Sequence, residues 1–163
     1  MKKYLPPFLL LLVSSFSSCA QKTFDEKMES LYKKTVPVIK AADLKEKKDV
    51  ILLDTRQPEE FEVSHLPGAM LINYDNFKLK DVKNVDKEAE VIVYCSVGYR
   101  SERIGEKLQK AGFTNVKNLY GGIFGWKNEG LEVVDAKEQA TDSVHTYNKT
   151  WSKWLYKGIK VYN

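Results

Sequence analysis

The sequence predicts an α/β domain in which helices flank a central parallel sheet. Two largely apolar runs, 50–54 and 90–94, have the length of strands and lack the alternation of a half-exposed strand, which is typical of strands buried on both faces. Segments with helical spacing separate such runs, and strands that alternate with helices indicate parallel pairing. The chain has 163 residues, which is enough for one domain with a substantial core.

Local patterns give the order of the elements. Apolar runs predict strands at 36–39, 50–54, 69–73, 90–94 and 115–119. Helices are expected at 41–47 and 101–111, a short one within 55–61, and one within 21–36 that Thr23 could cap. The charged stretch 78–90 is expected to form a short helix and a surface loop with a solvated face.

Residues 1–18 have the pattern of a signal peptide rather than of a folded element. Two lysines at the start precede an apolar core, 5–13, which is about half the length that a membrane span needs. Small residues and then Cys19 follow, an arrangement that resembles a bacterial lipobox, although Phe16 stands where leucine or valine is usual. An ordinary secretory signal cleaved nearby is the alternative.

The lipobox resemblance implies cleavage before Cys19 and lipidation of its sulfur. The expected location is then the bacterial cell envelope, with the protein lipid-anchored and facing the periplasm or the cell surface. Residues 19–34 would form the lipidated tether and a helix.

The chain has two cysteines, Cys19 and Cys95. If Cys19 carries lipid, Cys95 has no partner, and a free thiol in an oxidising compartment is a liability unless it is used. A disulfide between the two cysteines is the alternative.

Charge and motif content exclude several classes of function. The formal net charge is +4, from 26 basic and 22 acidic side chains, and there is no basic stripe interleaved with aromatic residues, so nucleic acid is not an expected partner. The sequence has no metal-ligand spacing, phosphate-binding loop or nucleotide motif. We therefore expect neither a metal nor another cofactor.

Cys95 follows the most strongly predicted strand and precedes a polar loop and a helix start. Active sites in parallel sheets lie at the carboxyl ends of strands, where this thiol falls. Backbone N–H groups of residues 96–101 and the helix N-terminus would point at the sulfur and favour negative charge on it. Gly98 permits the positive φ or close approach that such a loop needs. The arrangement is typical of nucleophilic sulfur chemistry on anions.

Three separated motifs stand out in the sequence. They read LDTRQPEEF followed by HLPGA (53–61 and 65–69), CSVGYRS (95–101) and LYGGIFGW (119–126). Through these motifs residues 35–134 resemble the single-domain rhodanese family. Ser64 stands where the family usually has glycine. Four residues separate Cys95 from Arg100, whereas cysteine phosphatases of this topology have one more.

The resemblance implies a rhodanese-like fold and a sulfurtransferase with Cys95 as the catalytic nucleophile. The loop that would hold its persulfide consists of Ser96, Val97, Gly98, Tyr99, Arg100 and Ser101. The family pattern makes His65 a structural turn residue. Asp54 and Arg56 could pair beneath the site and support the loop, or form only a structural ion pair.

The expected reaction is a two-step covalent transfer of sulfur. Cys95 would take sulfur from a small anionic donor, thiosulfate or a persulfide, and pass it to a thiol or cyanide. Ser96 stands where many thiosulfate-using relatives carry a cation, which weakens the case for thiosulfate. The alternative is a rhodanese-like module without turnover that carries sulfur, senses redox state or binds a protein.

Residues 135–163 form an aromatic-rich extension that we expect to pack on the domain. Trp151, Trp154 and Leu155 share one face if the segment is helical, and this face would lie against the helix at 25–35. Binding of a protein partner or a membrane surface is the alternative use.

Overall fold

A five-stranded parallel sheet with the order β1-β5-β4-β2-β3 forms the centre of the computed structural model, which describes residues 24–162. Its strands are β1 (Val38–Ile39), β2 (Ile51–Asp54), β3 (Met70–Leu71), β4 (Glu90–Tyr94) and β5 (Asn115–Leu119). The predicted α/β architecture with a central parallel sheet is confirmed.

Helices cover both faces of this sheet. They are α1 (24–31), α2 (Ala41–Leu44), α3 (Pro58–Val63), α4 (Tyr99–Lys110), α5 (Gly122–Asn128) and α6 (Lys149–Ser152), with a 3₁₀ helix at Leu79–Val82. Ile104 and Leu108 of α4 pack into one core cluster, and α1, α5 and the C-terminal extension pack into the other. The sheet is therefore buried on both sides.

Strand β4 lies at the centre of both clusters. Val91 and Val93 belong to the cluster under α4, whereas Ile92 and Tyr94 belong to the opposite one, and all four side chains are fully buried. Alternation of neighbouring side chains between the faces of a strand gives this division. These four residues are all hydrophobic because both faces of the strand are buried.

Element boundaries differ from the predicted ones for local reasons. Helix α2 ends at Leu44 rather than at 47, and Asp49 turns into β2 with a left-handed φ of 58°. Strand β3 is shorter than the predicted 69–73, because it lies at the sheet edge and the chain turns at Asn73, where φ is 30°. Helix α4 begins at Tyr99 rather than at 101, directly after Gly98 in the left-handed region.

The C-terminal extension contains more strand than helix. Three short strands lie in it: β7 (Ala140–Thr141), β8 (Ser143–His145) and β9 (Ile159–Val161). Strand β7 pairs antiparallel with β6 (Val133–Val134), which directly precedes the extension, and β8 pairs parallel with β9.

The expected helical face over 151–155 is wrong. Helix α6 is a single turn capped by the Asn148 side chain, and it ends before Trp154 and Leu155. Both residues nevertheless pack on the domain: Leu155 is fully buried, and the Trp154 ring meets Phe24 of α1 edge-on at 6.4 Å. The extension is therefore part of the main core.

The signal peptide 1–18, Cys19, the start of the tether and the Thr23 cap lie outside the described residues. Between residues 24 and 162, the structure contains no helix with the length and apolar character of a membrane span.

Candidate active site

Cys95 lies at the carboxyl end of β4, where the sequence places it. It is a free thiol with 1% of its surface exposed. The N–H of Gly98 donates a hydrogen bond to its Sγ atom over 3.2 Å. The sulfur therefore lies inside the turn that the following residues make.

Four consecutive carbonyl groups of this turn, those of residues 95–98, accept hydrogen bonds from outside it. The respective donors are the N–H groups of Ile123 and Phe124, the Tyr32 hydroxyl and the Asn118 side-chain amide, at 2.9, 3.1, 2.8 and 2.9 Å. In a trans peptide the C=O and N–H groups point in opposite directions. Outward carbonyls thus turn the N–H groups of the same peptides, those of residues 96–99, towards the inner side of the loop, and the Gly98 N–H reaches Sγ.

Tyr32 is a donor that local sequence patterns do not reveal. It lies 65 positions before Val97, and its oxygen also accepts a hydrogen bond from the Gly121 N–H at 2.8 Å. Burial raises the pKa of Tyr32 far above its ordinary value. Its hydroxyl therefore stays protonated and remains a donor to the loop.

Two glycines allow these close approaches. Gly98 has a φ of 95°, and a Cβ atom there would overlap the Tyr32 ring. Gly122, at the start of α5, has a φ of 55°, and a Cβ there would lie 2.7 Å from the carbonyl carbon of Ser96. A side chain at either position would push the loop away from a group that orients it.

Glu60 joins the loop to helix α3 and is the main residue that the sequence analysis missed. Its carboxylate accepts two hydrogen bonds from the Arg100 guanidinium, both at 2.7 Å, and one from the Ser96 hydroxyl at 2.9 Å. Glu60 is only 2% exposed. Its position in the first motif, directly before Phe61, is the sequence feature that could have identified it.

Glu60 and Arg100 each stabilise the charged form of the other. Burial alone would raise the pKa of Glu60, but the hydrogen bonds and positive charge of Arg100 outweigh it and hold the pKa below its ordinary value. Burial alone would lower the pKa of Arg100, and the bonds to Glu60 outweigh that effect as well. Both side chains are charged at neutral pH.

Asp54 and Arg56 form a fully buried ion pair, with Nη2 and Oδ2 2.6 Å apart. Arg56 Nη2 also donates to the Ser64 carbonyl at 2.6 Å. These bonds fix the end of α3, whereas the described hydrogen bonds to the loop from this side come from Glu60. The geometry agrees with the structural alternative for this pair.

The remaining loop residues take different positions. Ser101 is buried and donates to Asn118 Oδ1 at 2.7 Å, so it orients the amide that holds the Gly98 carbonyl. Val97 is buried in the core, and Tyr99 is 44% exposed at the rim. Ser96 and Arg100 meet at Glu60.

His65 occupies a structural position. Its ring stacks on Phe61 with 3.8 Å between centroids, and its two nitrogens lie 3.0 Å from the Phe61 carbonyl and the Glu138 carboxylate. Both ring nitrogens therefore have partners away from Cys95.

A cleft of about 570 Å³ opens beside the thiol. Its lining comprises Leu31, Gln57, Tyr74, Asp75, Cys95, Ser96, Val97, Tyr99, Arg100, Tyr147 and Trp151. Leu31 belongs to α1, and Tyr147 and Trp151 belong to the C-terminal extension. No local pattern in the sequence connects such distant segments to Cys95, so these three residues were not predicted to belong to the site.

A buried thiol at a strand end, within a loop whose Gly98 N–H bonds to it, places the protein among α/β proteins with a cysteine loop at the carboxyl edge of a parallel sheet. Within that class, residues 38–129 match the rhodanese-like domain family, which is more than half of the chain. The chain therefore belongs to the rhodanese-like domain family.

Several relatives are named as sulfurtransferases. The sulfurtransferase of Allochromatium vinosum is 32% identical over 91 residues, which are 56% of this chain and 84% of that protein. Thiosulfate sulfurtransferase GlpE of Coxiella burnetii is 31% identical over 94 residues, covering 58% of this chain and 87% of that protein. The adenylyltransferase and sulfurtransferase UBA4 of Meyerozyma guilliermondii is 37% identical over 89 residues, half of this chain but only 21% of its own length.

The fold resembles solved rhodanese-like structures. A rhodanese-related protein from Thermoplasma volcanium superposes with a TM-score of 0.55 at 31% identity, covering 60% of this chain and 97% of that one. The family and its named relatives support sulfur transfer in general.

Replacement of Glu60 tests its part in holding the loop. Glu60→Gln is expected to lower the free energy of unfolding by about 2 to 4 kcal/mol at neutral pH, because the partly buried Arg100 loses its counter-charge. Since the folded-state pKa of Glu60 is depressed, its contribution is complete above the ordinary glutamate value and is lost as the pH falls through the lower folded value. The difference from wild type, measured by urea unfolding, should therefore shrink below about pH 4.

Glu59→Gln is the matched control, because Glu59 is the exposed neighbour on the same helix. It should change the unfolding free energy by no more than about 0.5 kcal/mol. Equal effects of the two substitutions, or a Glu60 effect that persists unchanged in acid, would contradict this role.

Proposed function

We propose that the protein transfers sulfane sulfur through a persulfide on Cys95. The observation that carries the proposal is the position of the thiol at the carboxyl end of β4, within a turn whose carbonyls are hydrogen-bonded to groups outside it. Inward N–H groups would stabilise negative charge on the Cys95 sulfur and then on the added sulfur atom. Membership of the rhodanese-like family and the names of the relatives support the same chemistry.

In the first step, the Cys95 thiolate attacks the outer sulfur of the donor. With thiosulfate, a bond forms between Sγ and the outer sulfur, the sulfur–sulfur bond of the donor breaks, and sulfite leaves with the bonding electron pair. The product is the anion Cys95–S–S⁻. With a persulfide donor, the leaving group is the corresponding thiolate.

In the second step, an acceptor takes the outer sulfur. Cyanide forms a bond to it, the bond to Sγ breaks, and thiocyanate leaves a Cys95 thiolate. A thiol acceptor R–SH gives R–S–S⁻, and its proton passes to the Cys95 sulfur. No oxidant or reductant takes part, because sulfur moves between partners at the same oxidation level.

Arg100 has a supporting role in this scheme. Its guanidinium is held by both oxygens of Glu60, so much of its charge is balanced before a donor arrives. We assign it to fixing the loop rather than to binding the donor alone. Thiosulfate remains a proposed donor, and the name of the GlpE relative supports it.

Intact-protein mass spectrometry of the full chain in detergent tests sulfur transfer. After incubation with thiosulfate or a polysulfide, we expect a gain of one sulfur atom, which subsequent cyanide removes as thiocyanate. Cys95→Ser should abolish the gain and lower steady-state turnover by about 1,000-fold or more, because it removes the nucleophile.

Ser143→Ala, a change in the extension outside the described cleft lining, is the matched control and should retain sulfur loading. If neither donor adds sulfur to the wild-type chain, the transferase proposal is wrong. Sulfur that loads on Cys95 but leaves only when a protein partner is present would instead favour a sulfur-carrier module.

We also propose that the protein is a lipoprotein of the bacterial envelope, anchored through Cys19. The proposal rests on the N-terminal sequence: a positive start, a short apolar core, and small residues before the cysteine. A diacylated cysteine supplies two acyl chains, which is enough for stable anchoring.

Metabolic labelling with an alkyne fatty acid in a bacterial host tests the anchor. The wild-type chain should carry the label and sediment with membranes, and Cys19→Ala should lose the label. Cys95→Ala, which removes the other cysteine, should keep it. An unlabelled wild-type chain would contradict the lipoprotein proposal.

A further inference from the structure

The C-terminal extension reaches back over the opening of the Cys95 cleft. Tyr147 and Trp151 line this opening, although they lie beyond residues 38–129, which match the family. The Tyr147 ring centroid is 6.0 Å from the Arg100 guanidinium carbon. The site of this chain is therefore completed by a segment outside the family match.

Tyr147 is held in an unfavourable backbone conformation. Its φ is 63°, in the left-handed region, which is costly for an aromatic residue. The Tyr147 N–H donates to His145 Nδ1 at 3.1 Å, and burial lowers the pKa of His145, which favours the neutral ring that can accept this bond. The preceding Thr146 is fully buried and bonds to the Val161 carbonyl.

Burial of the Tyr147 ring does not explain this backbone cost. The residue is 57% exposed, so its side chain contributes little to the core. The conformation instead directs the ring towards the cleft and Arg100. Strained residues that persist without a packing reason are concentrated at functional sites.

Trp151 is fixed beside Tyr147 by helix α6. The Asn148 side chain accepts hydrogen bonds from the Thr150 and Trp151 N–H groups, which caps the helix and sets the position of the indole. Lys27 of α1 lies 5.5 Å from the indole centroid. Leu31 of α1 lines the cleft together with Tyr147 and Trp151 of the extension.

The cleft lining is largely apolar and aromatic, and its basic side chain is paired with a carboxylate. Arg100 is the only basic side chain among the described lining residues, and Glu60 holds it, while Asp75 adds a negative charge. The one basic side chain among the described lining residues is thus already paired. The volume of about 570 Å³ lies within the usual range for sites that hold a small organic molecule.

We propose that the extension makes this site selective for an organic thiol, or its persulfide, that carries an apolar and preferably aromatic group. That group would pack against Tyr147 and Trp151 while its sulfur reaches Cys95. The proposal rests on the Cys95 persulfide chemistry proposed above and names its acceptor class. Because the transfer is reversible, the same surface would hold the persulfide of such a compound as a donor.

The transfer step balances without a further reactant. The thiol sulfur of R–SH forms a bond to the outer sulfur of Cys95–S–S⁻, and the bond between that sulfur and Sγ breaks. The thiol proton passes to the Cys95 sulfur. The products are R–S–S⁻ and the free Cys95 thiol.

Single-turnover kinetics of the preloaded full chain in detergent test this acceptor class. The persulfide is formed with polysulfide, freed of excess donor and mixed with phenylmethanethiol, 2-mercaptoethanol or cyanide, and its loss is followed by mass spectrometry. Wild type is expected to react at least about fivefold faster with phenylmethanethiol than with 2-mercaptoethanol, after correction for the uncatalysed reactivity of each thiol towards a small persulfide. This comparison uses the wild-type chain alone.

Tyr147→Gly removes the ring and suits the positive φ at this position, so it does not add strain. We expect the corrected ratio of the two thiol rates to fall about fivefold, towards one. Tyr147→Phe should keep the ratio, because it retains the ring. Tyr162→Ala is the matched control, since Tyr162 is an exposed tyrosine of the same extension outside the described cleft lining.

Two results would overturn the acceptor class while leaving the persulfide chemistry intact. One is an equal corrected rate for both thiols in a wild-type chain that loads sulfur and releases it to cyanide. The other is a preference that survives in Tyr147→Gly. A wild-type chain that never gains sulfur on Cys95 would overturn both proposals.

Discussion

The site depends on one constraint: the carbonyl groups of residues 95–98 all accept hydrogen bonds from groups outside the loop, which keeps them pointing away from the sulfur. The donors come from α5, from Tyr32 directly after α1, and from β5, so the loop takes its shape only when three separate segments are in place. A short loop after a strand could present either side of its peptides to the sulfur. Because each peptide is planar, its N–H points away from its C=O. Hydrogen bonds that hold the carbonyls outwards therefore orient the N–H groups inwards, towards the sulfur. Gly98 and Gly122 are required because their neighbours approach so closely.

The ion pair of Glu60 and Arg100 fixes the loop from the remaining side. A carboxylate that is 2% exposed is stable only with full hydrogen bonding, and Arg100, Ser96 and the backbone N–H of Gln57 supply it. The pair thereby links the loop to α3, which the buried Asp54–Arg56 pair fixes in turn. Arg100 is paired with Glu60, and the rest of the cleft lining near the extension is aromatic rather than basic.

The sequence predicts those parts of the site that are local. A buried strand that ends on Cys95, followed by Gly98 and a helix, contains its own signals of hydrophobic run, turn and helix start. Glu60 was within a quoted motif, but only the fold shows its distance from Arg100. Tyr32 and Tyr147 could not be predicted in the same way, since each reaches the loop from a segment far away in the chain. The short strands of the extension also escaped prediction, because tertiary pairing rather than helical spacing determines residues 140–162.

A high-resolution crystal structure of the protein with Cys95 converted to its persulfide would test the central claim most directly. The outer sulfur should lie within the loop, at hydrogen-bond distance from several N–H groups of residues 96–99, with the four outward carbonyl bonds intact. An outer sulfur turned away from the loop, or a loop peptide flipped so that its carbonyl faces the sulfur, would contradict it.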